Sequence, residues 1–248
     1  MPYHEIDGFK LNYKILGGNN SKPPIILHHG FSQRLEDWEL SGWTEILSDH
    51  TLLIFDALGH GLSDKPHEPC HYTVESRTNH VLELTKIIGM TNFIYFGFSM
   101  GGRIGFELSV TEPSVLDRLV IGGMHAFSPR IDTKNLERRI RILKSNRWKL
   151  IERAVGVNRE NSHNDPIALA ASTEAIMKWN GVQSKLGSVG VKTLLYCGEK
   201  DSLFSLAQQT ADAMSFCEFI QLKKTSHSDS FYRSKEARSL VQKFIDNI

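Results

Sequence analysis

Short apolar runs alternate with longer amphipathic stretches along most of this chain. Phe9–Leu16 and Ile25–His28 have strand character and flank the turn-rich segment GGNNSKPP. Asp37–Ser48 follows as a helix, and Thr51–Phe55 as a short apolar strand. Apolar residues recur with helical spacing over Thr73–Ile88, where Thr73 is suited to cap the N-terminus. Asn92–Phe98 (NFIYFGF) is apolar enough for a strand buried on both faces, and a helix begins at Gly101. The remaining pattern predicts strands at Leu116–Ile121, Val191–Cys197 and Glu218–Leu222, with helices over Ser205–Met214 and Ser230–Ile245. Apolar strands separated by helices imply an α/β fold with a mostly parallel, doubly wound sheet covered on both faces.

That alternation stops between Gly122 and Val191. Residues 125–189 contain the helical stretches NLERRIRILKSNRWKLIERAV and IALAASTEAIMKWN and no convincing strand. A helical insertion after a parallel strand lies over the sheet edge where such folds bind ligands, so it is expected to form a cap. A solvent-facing helical excursion would fit its basic first half as well. The expected organisation is therefore a core from residues 1–124 and 190–248, with a helical cap over 125–189.

Composition changes this picture little. The 248 residues are 40% hydrophobic and 23% charged, as in an ordinary globular chain. A net charge of +1, with no basic tract interleaved with aromatics, gives no expectation of nucleic-acid binding or of attraction to an anionic membrane. MPYHEIDGFK has neither a basic leader nor an apolar run, and no stretch approaches bilayer-spanning length. Cys70, Cys197 and Cys217 are odd in number and widely spaced, which argues against a disulfide framework; the expected compartment is the cytosol.

The chemistry is concentrated in Gly97-Phe98-Ser99-Met100-Gly101, between a strand and a helix. The glycines allow a sharp turn that lifts the Ser99 hydroxyl clear of the sheet, at a helix N-terminus that favours developing negative charge. Other short motifs stand at strand ends. They are His28-His29-Gly30-Phe31, Asp56-Ala57-Leu58-Gly59-His60-Gly61-Leu62-Ser63-Asp64, Gly198-Glu199-Lys200-Asp201 and Ser226-His227. In this order they resemble the α/β-hydrolase superfamily over almost the whole chain.

The resemblance implies a Ser-Asp-His triad of Ser99, Asp201 and His227, with His227 as base and Asp201 holding its imidazole. Asp229 competes on proximity, although Ser228-Asp229-Ser230 is also suited to cap the last helix. The resemblance further implies an oxyanion hole from the backbone N–H groups of Phe31 and Met100. His28, His29 and Asp56 are expected to be structural. Candidate pocket side chains are Trp38, Phe98, Arg103, His125, Trp148 and Trp179, together with Phe31, Phe127 and Phe204. Arg103 either meets a substrate carboxylate or pairs with Glu107 four residues on.

A serine nucleophile argues against dehalogenase and epoxide hydrolase chemistry, and residues 125–190 contain no cap tyrosine. The expected activity is hydrolysis of a small apolar carboxylic ester, lactone or thioester through an acyl-enzyme, without cofactor or metal. Two alternatives stand beside it. Ser99-Met100-Gly101-Gly102-Arg103 and GEKDSLF also resemble menaquinone-pathway synthases, which eliminate pyruvate with the same triad. A ligand receptor with a slow triad would use the same scaffold. Oligomeric state is not legible.

Overall fold

The computed structural model describes residues 2–18, 22–87, 89–155 and 163–247. Eight strands form one sheet: β1 (Tyr3–Ile6), β2 (Phe9–Leu16), β3 (Ile25–His28), β4 (Leu52–Phe55), β5 (Phe93–Phe98), β6 (Leu116–Gly122), β7 (Thr193–Gly198) and β8 (Cys217–Leu222). Their spatial order is β1-β2-β4-β3-β5-β6-β7-β8, with β1, β2 and β4 paired antiparallel and the rest parallel. β1 was not evident from its mixed pattern; it forms a hairpin with β2 through Asp7-Gly8, both at positive φ.

Strand periodicity divides the interior into two cores. Phe93 and Tyr95 of β5 pack with Ile26, Leu119 and Ile121 on one face, while Ile94, Phe96 and Phe98 pack with Leu27 and Val120 on the other. The first face is covered by α3 (Val74–Ile87), α4 (Met100–Thr111) and α8 (Phe204–Asp212). The second is covered by α1 (Glu36–Leu40), α2 (Trp43–Ile46), α9 (His227–Tyr232) and α10 (Lys235–Asp246). Thr73 caps α3 as predicted, accepting from the Ser76 N–H at 3.1 Å. The final residue expected in that helix, Ile88, lies outside the described residues.

Two long helices expected from periodicity are each broken. Gly42, at φ 76°, separates α1 from α2. Ser234 accepts from the Ala237 N–H at 3.0 Å and starts α10 afresh after α9. Between β6 and β7 lie α5 (Thr133–Leu143), α6 (Trp148–Val155) and α7 (Pro166–Ile176), with no strand among the described residues there beyond a single bridge between Phe127 and Gly181.

Strand order reverses across β3 and β5, because the chain leaves β3 towards β4 and returns to β5 on the opposite side. The loops that follow these two strands diverge and open a crevice at their carboxyl ends, the place where open parallel sheets bind ligands.

Candidate active site

Ser99 stands at that crevice, between β5 and α4. Its backbone has φ 51° and ψ −108°, a conformation a non-glycine residue holds only when its surroundings enforce it. Three hydrogen bonds do so: Ser99 N–H to the Gly122 carbonyl (2.8 Å), Gly101 N–H to the His29 carbonyl (3.2 Å) and Arg103 N–H to the Ser99 carbonyl (3.2 Å). A Cβ on Gly97 would lie 2.4 Å from the Gly101 carbonyl carbon, and one on Gly101 would lie 2.1 Å from the His28 carbonyl oxygen. Both positions therefore need glycine.

His227 is the first residue of α9, where it approaches the serine from β8. Its Nε2 is 3.1 Å from Ser99 Oγ, and its Nδ1 is 2.5 Å from Asp201 Oδ2. The Asp201 carboxylate accepts at Nδ1–H, which leaves Nε2 free to accept from the serine hydroxyl. Asp201 is buried, and its other oxygen accepts from the Leu203 N–H at 3.0 Å. Asp229 does not compete for the histidine. It lies in the first turn of α9, where Ser226 donates to its carboxylate at 2.7 Å and caps its N–H at 3.3 Å. That reciprocal capping corrects the expectation that Asp229 caps the last helix, which Ser234 does.

An aromatic cluster fixes α9. Trp38, Trp43, Phe96 and Phe231 stack edge to face, and Trp43 Nε1 donates to the Phe231 carbonyl at 3.0 Å. Each such ring pair contributes about 1 kcal/mol beyond simple burial. Trp38 is thus a fully buried core residue and not a pocket residue. Phe98, also buried, packs its ring 5.0 Å from that of His227.

The loop after β3 abuts Ser99, since a Cβ on Gly30 would lie 3.3 Å from Ser99 Cβ. Gly30 and Gln33 close a turn there, with Gly30 N–H donating to Gln33 Oε1 at 2.6 Å. Phe31 and Met100 both line the crevice beside Ser99. Met100 opens α4, so its N–H has no carbonyl one turn back to bond.

The buried histidines brace this loop, as expected of structural residues. His29 Nε2 accepts from Ala57 N–H at 3.0 Å, which places its proton on Nδ1 to donate to the Gly30 carbonyl at 2.7 Å. Tyr95 donates to the Gly101 carbonyl at 2.9 Å and accepts from His28 Nδ1 at 2.6 Å. Buried Asp56 accepts from Asn12, Leu35 and Leu62 and ties the following loop to β2.

Burial disfavours the charged form of these imidazoles. It holds His28 and His60 well below the usual histidine range and lowers His29, His80 and His125 to about 4. Their unfolded value is about 6.5, so their contribution to stability is complete above that pH and is lost as pH falls towards 4. Near pH 5.5, unfolding should therefore take up about four protons, and the urea midpoint should drop sharply between pH 7 and 5. An unchanged midpoint over that interval would refute the neutral buried cluster.

A cavity of about 730 Å³ opens over Ser99, a volume typical of small-molecule sites. Its floor is Ser99, Met100, Arg103, Met124, His125 and Phe31, and its roof comes from α5 and α7 through Leu136, Arg139, Ser172, Thr173 and Ile176. Phe31, Arg103 and His125 are the sequence-predicted pocket residues that do line it; Phe98 does not. Trp179 instead donates Nε1–H to Glu107 at 2.7 Å, so Glu107 is not the partner of Arg103. Trp148 packs beside Leu143 and Ile151, and Phe204 pairs with Phe219. Phe127 sits beside His125, to which it donates its N–H.

Arg139 escaped the sequence reading, although a signal existed. It falls on the inward stripe of α5 with Leu136, Ile140 and Leu143, where a charge breaks the apolar spacing. Among the described residues no cluster of His, Cys, Asp or Glu could hold a metal ion, and no helix is long and apolar enough to cross a membrane.

The sequence profile of the alpha/beta hydrolase fold matches residues 23–165. The chain belongs to that family. Among solved structures, the enol-lactonase of Burkholderia xenovorans LB400 superposes with a TM-score of 0.80 at 23% identity, covering 98% of this chain and 99% of that one. A thermophilic esterase from Thermogutta terrifontis gives 0.80 at 16% identity, covering 98% and 96%. In sequence, the chain is 23% identical, over 93% of each, to a Bacillus subtilis protein provisionally named 2-succinyl-6-hydroxy-2,4-cyclohexadiene-1-carboxylate synthase.

Proposed function

We propose that this α/β-hydrolase is a serine hydrolase that cleaves a small carboxylic ester, lactone or thioester through an acyl-enzyme on Ser99. The observation that carries the reading is the continuous hydrogen-bonded chain from Asp201 through His227 to Ser99. His227 Nε2 takes the hydroxyl proton as Oγ attacks the carbonyl carbon, and Asp201 stabilises the imidazolium that forms. The N–H groups of Phe31 and Met100 receive the oxyanion, and the positive end of α4 adds to that stabilisation. His227 then protonates the leaving oxygen or sulfur, and water, deprotonated by the same histidine, releases the acid. The helices over residues 125–189 act as a cap that shapes the acyl pocket.

The full-length likeness to the Bacillus subtilis protein favours a second reading, elimination of pyruvate with the same triad. Purified protein given p-nitrophenyl esters of graded chain length should turn over many times per site, with intact-mass labelling by a fluorophosphonate confined to Ser99. A coupled lactate dehydrogenase assay with the synthase substrate should detect no pyruvate. Rapid pyruvate release with no ester turnover would replace the hydrolase reading by the second.

A further inference from the structure

Arg103 lies one helical turn beyond Ser99, lines the cavity, and is only 9% exposed. Its Nε has no hydrogen-bond partner, and Nη2 reaches no acceptor better than the Met124 thioether at 3.6 Å. The guanidinium lies 5.6 Å from the Trp179 ring centroid, a contact that supports a cation without neutralising it. Arg139 faces it from α5, poised 5.1 Å over the ring of Phe31. Neither arginine has an ion-pair partner among the described residues.

A buried cation such as Arg103 is costly unless it is paired, and the half-buried Arg139 in the same pocket repels it. Burial, reinforced by that repulsion, lowers Arg103 to about 10, so it still carries its charge at neutral pH. The other charged and titratable side chains around the cavity do not neutralise the pair. Asp201 is engaged by His227, while Asp132, whose charge supports that of Arg139, accepts from Asn135 at 2.8 Å. Lys200 adds a further positive charge. His125 accepts from Phe127 N–H at its Nδ1, which makes its Nε2 a neutral donor in the same wall.

We propose that Arg103 and Arg139, with His125, form a carboxylate subsite, and that the substrate is an ester whose acyl part carries a second carboxylate a few carbons from the reacting carbonyl. This rests on the hydrolase reading of Ser99. The incoming anion fills the hydrogen-bonding capacity that the folded chain leaves unused at Arg103, and binding is strengthened by the low dielectric of the capped pocket.

Two measurements test it separately. In kinetics, mono-p-nitrophenyl glutarate should exceed p-nitrophenyl valerate in kcat/KM by about 10- to 100-fold, the range expected for a charge-assisted pair. Arg103→Leu and Arg139→Leu should each collapse that ratio, whereas Arg138→Leu, on the exposed side of α5, should preserve it. In calorimetry, Ser99→Ala should bind 5-phenylvalerate at least about tenfold more tightly than 5-phenylpentanamide. Adding Arg139→Leu should abolish the difference, and this arm stands even if Arg103→Leu does not fold. Equal binding of acid and amide would overturn the carboxylate subsite whatever the ester kinetics show. Retained acid binding without turnover of either ester would instead overturn the hydrolase reading and leave the subsite intact.

Discussion

Ser99→Ala should lower ester turnover by about 10⁴- to 10⁶-fold and abolish labelling by a fluorophosphonate, the scale lost when a serine nucleophile is removed. The reason is structural as well as chemical. Ser99 is held at φ 51° by bonds to Gly122 and Arg103, with its Oγ 3.1 Å from His227 Nε2. Among the described residues the imidazole's hydrogen bonds go to Ser99 and Asp201, while Ser226 is committed to Asp229 and Ser172 accepts from Arg77 at 2.9 Å. Alanine removes the attacking oxygen without disturbing the backbone bonds, so thermal stability should change little. Residual turnover near the wild-type rate, or a label found elsewhere, would sink the assignment.

Asp201→Asn should cost about 10⁴-fold in kcat, because an amide can donate to Nδ1 and stabilise the imidazole tautomer that no longer accepts from serine. The carboxylate meets His227 Nδ1 at 2.5 Å, in a pocket closed by the Leu203 N–H and the Cys197 thiol. The comparison variant is Asp229→Asn, two residues from the histidine. Asp229 accepts from Ser226 and pairs with Arg233 at 3.4 Å on an exposed turn, so its loss should leave kcat within about threefold and cost under about 1 kcal/mol of stability. Comparing the two asparagine variants on one neutral ester checks both assignments. The opposite ranking would transfer the acid's role to Asp229.

Apolar periodicity determined the parallel strands of this protein, because a strand buried on both faces leaves a run such as NFIYFGF that a surface element could not carry. The elbow was equally legible. A Cβ at position 97 or 101 would fall 2.4 or 2.1 Å from neighbouring backbone atoms, so only glycine fits and the constraint is visible as residue identity. The order of the strand-end motifs carried the resemblance that implied Ser99, Asp201 and His227, with Asp229 left as a rival for the acid.

Other features depended on contacts between residues far apart in the chain. Whether Trp38 faces a pocket or a core was decided by the packing of Phe96 and Phe231, and an indole suits either setting. Arg103 and Glu107 have ideal helical spacing for an ion pair, yet the fold delivers Trp179 to Glu107 and leaves the arginine without an ion-pair partner among the described residues. The breaks at Gly42 and Ser234 override a helical period that continues through them, because each neighbouring helix must turn to cover the sheet. Local sequence thus determined the strands and the elbow, since each reflects a constraint on a residue and its immediate neighbours. Only the tertiary structure decided which charges remain uncompensated in the cavity, because compensation is a property of what the fold places within reach.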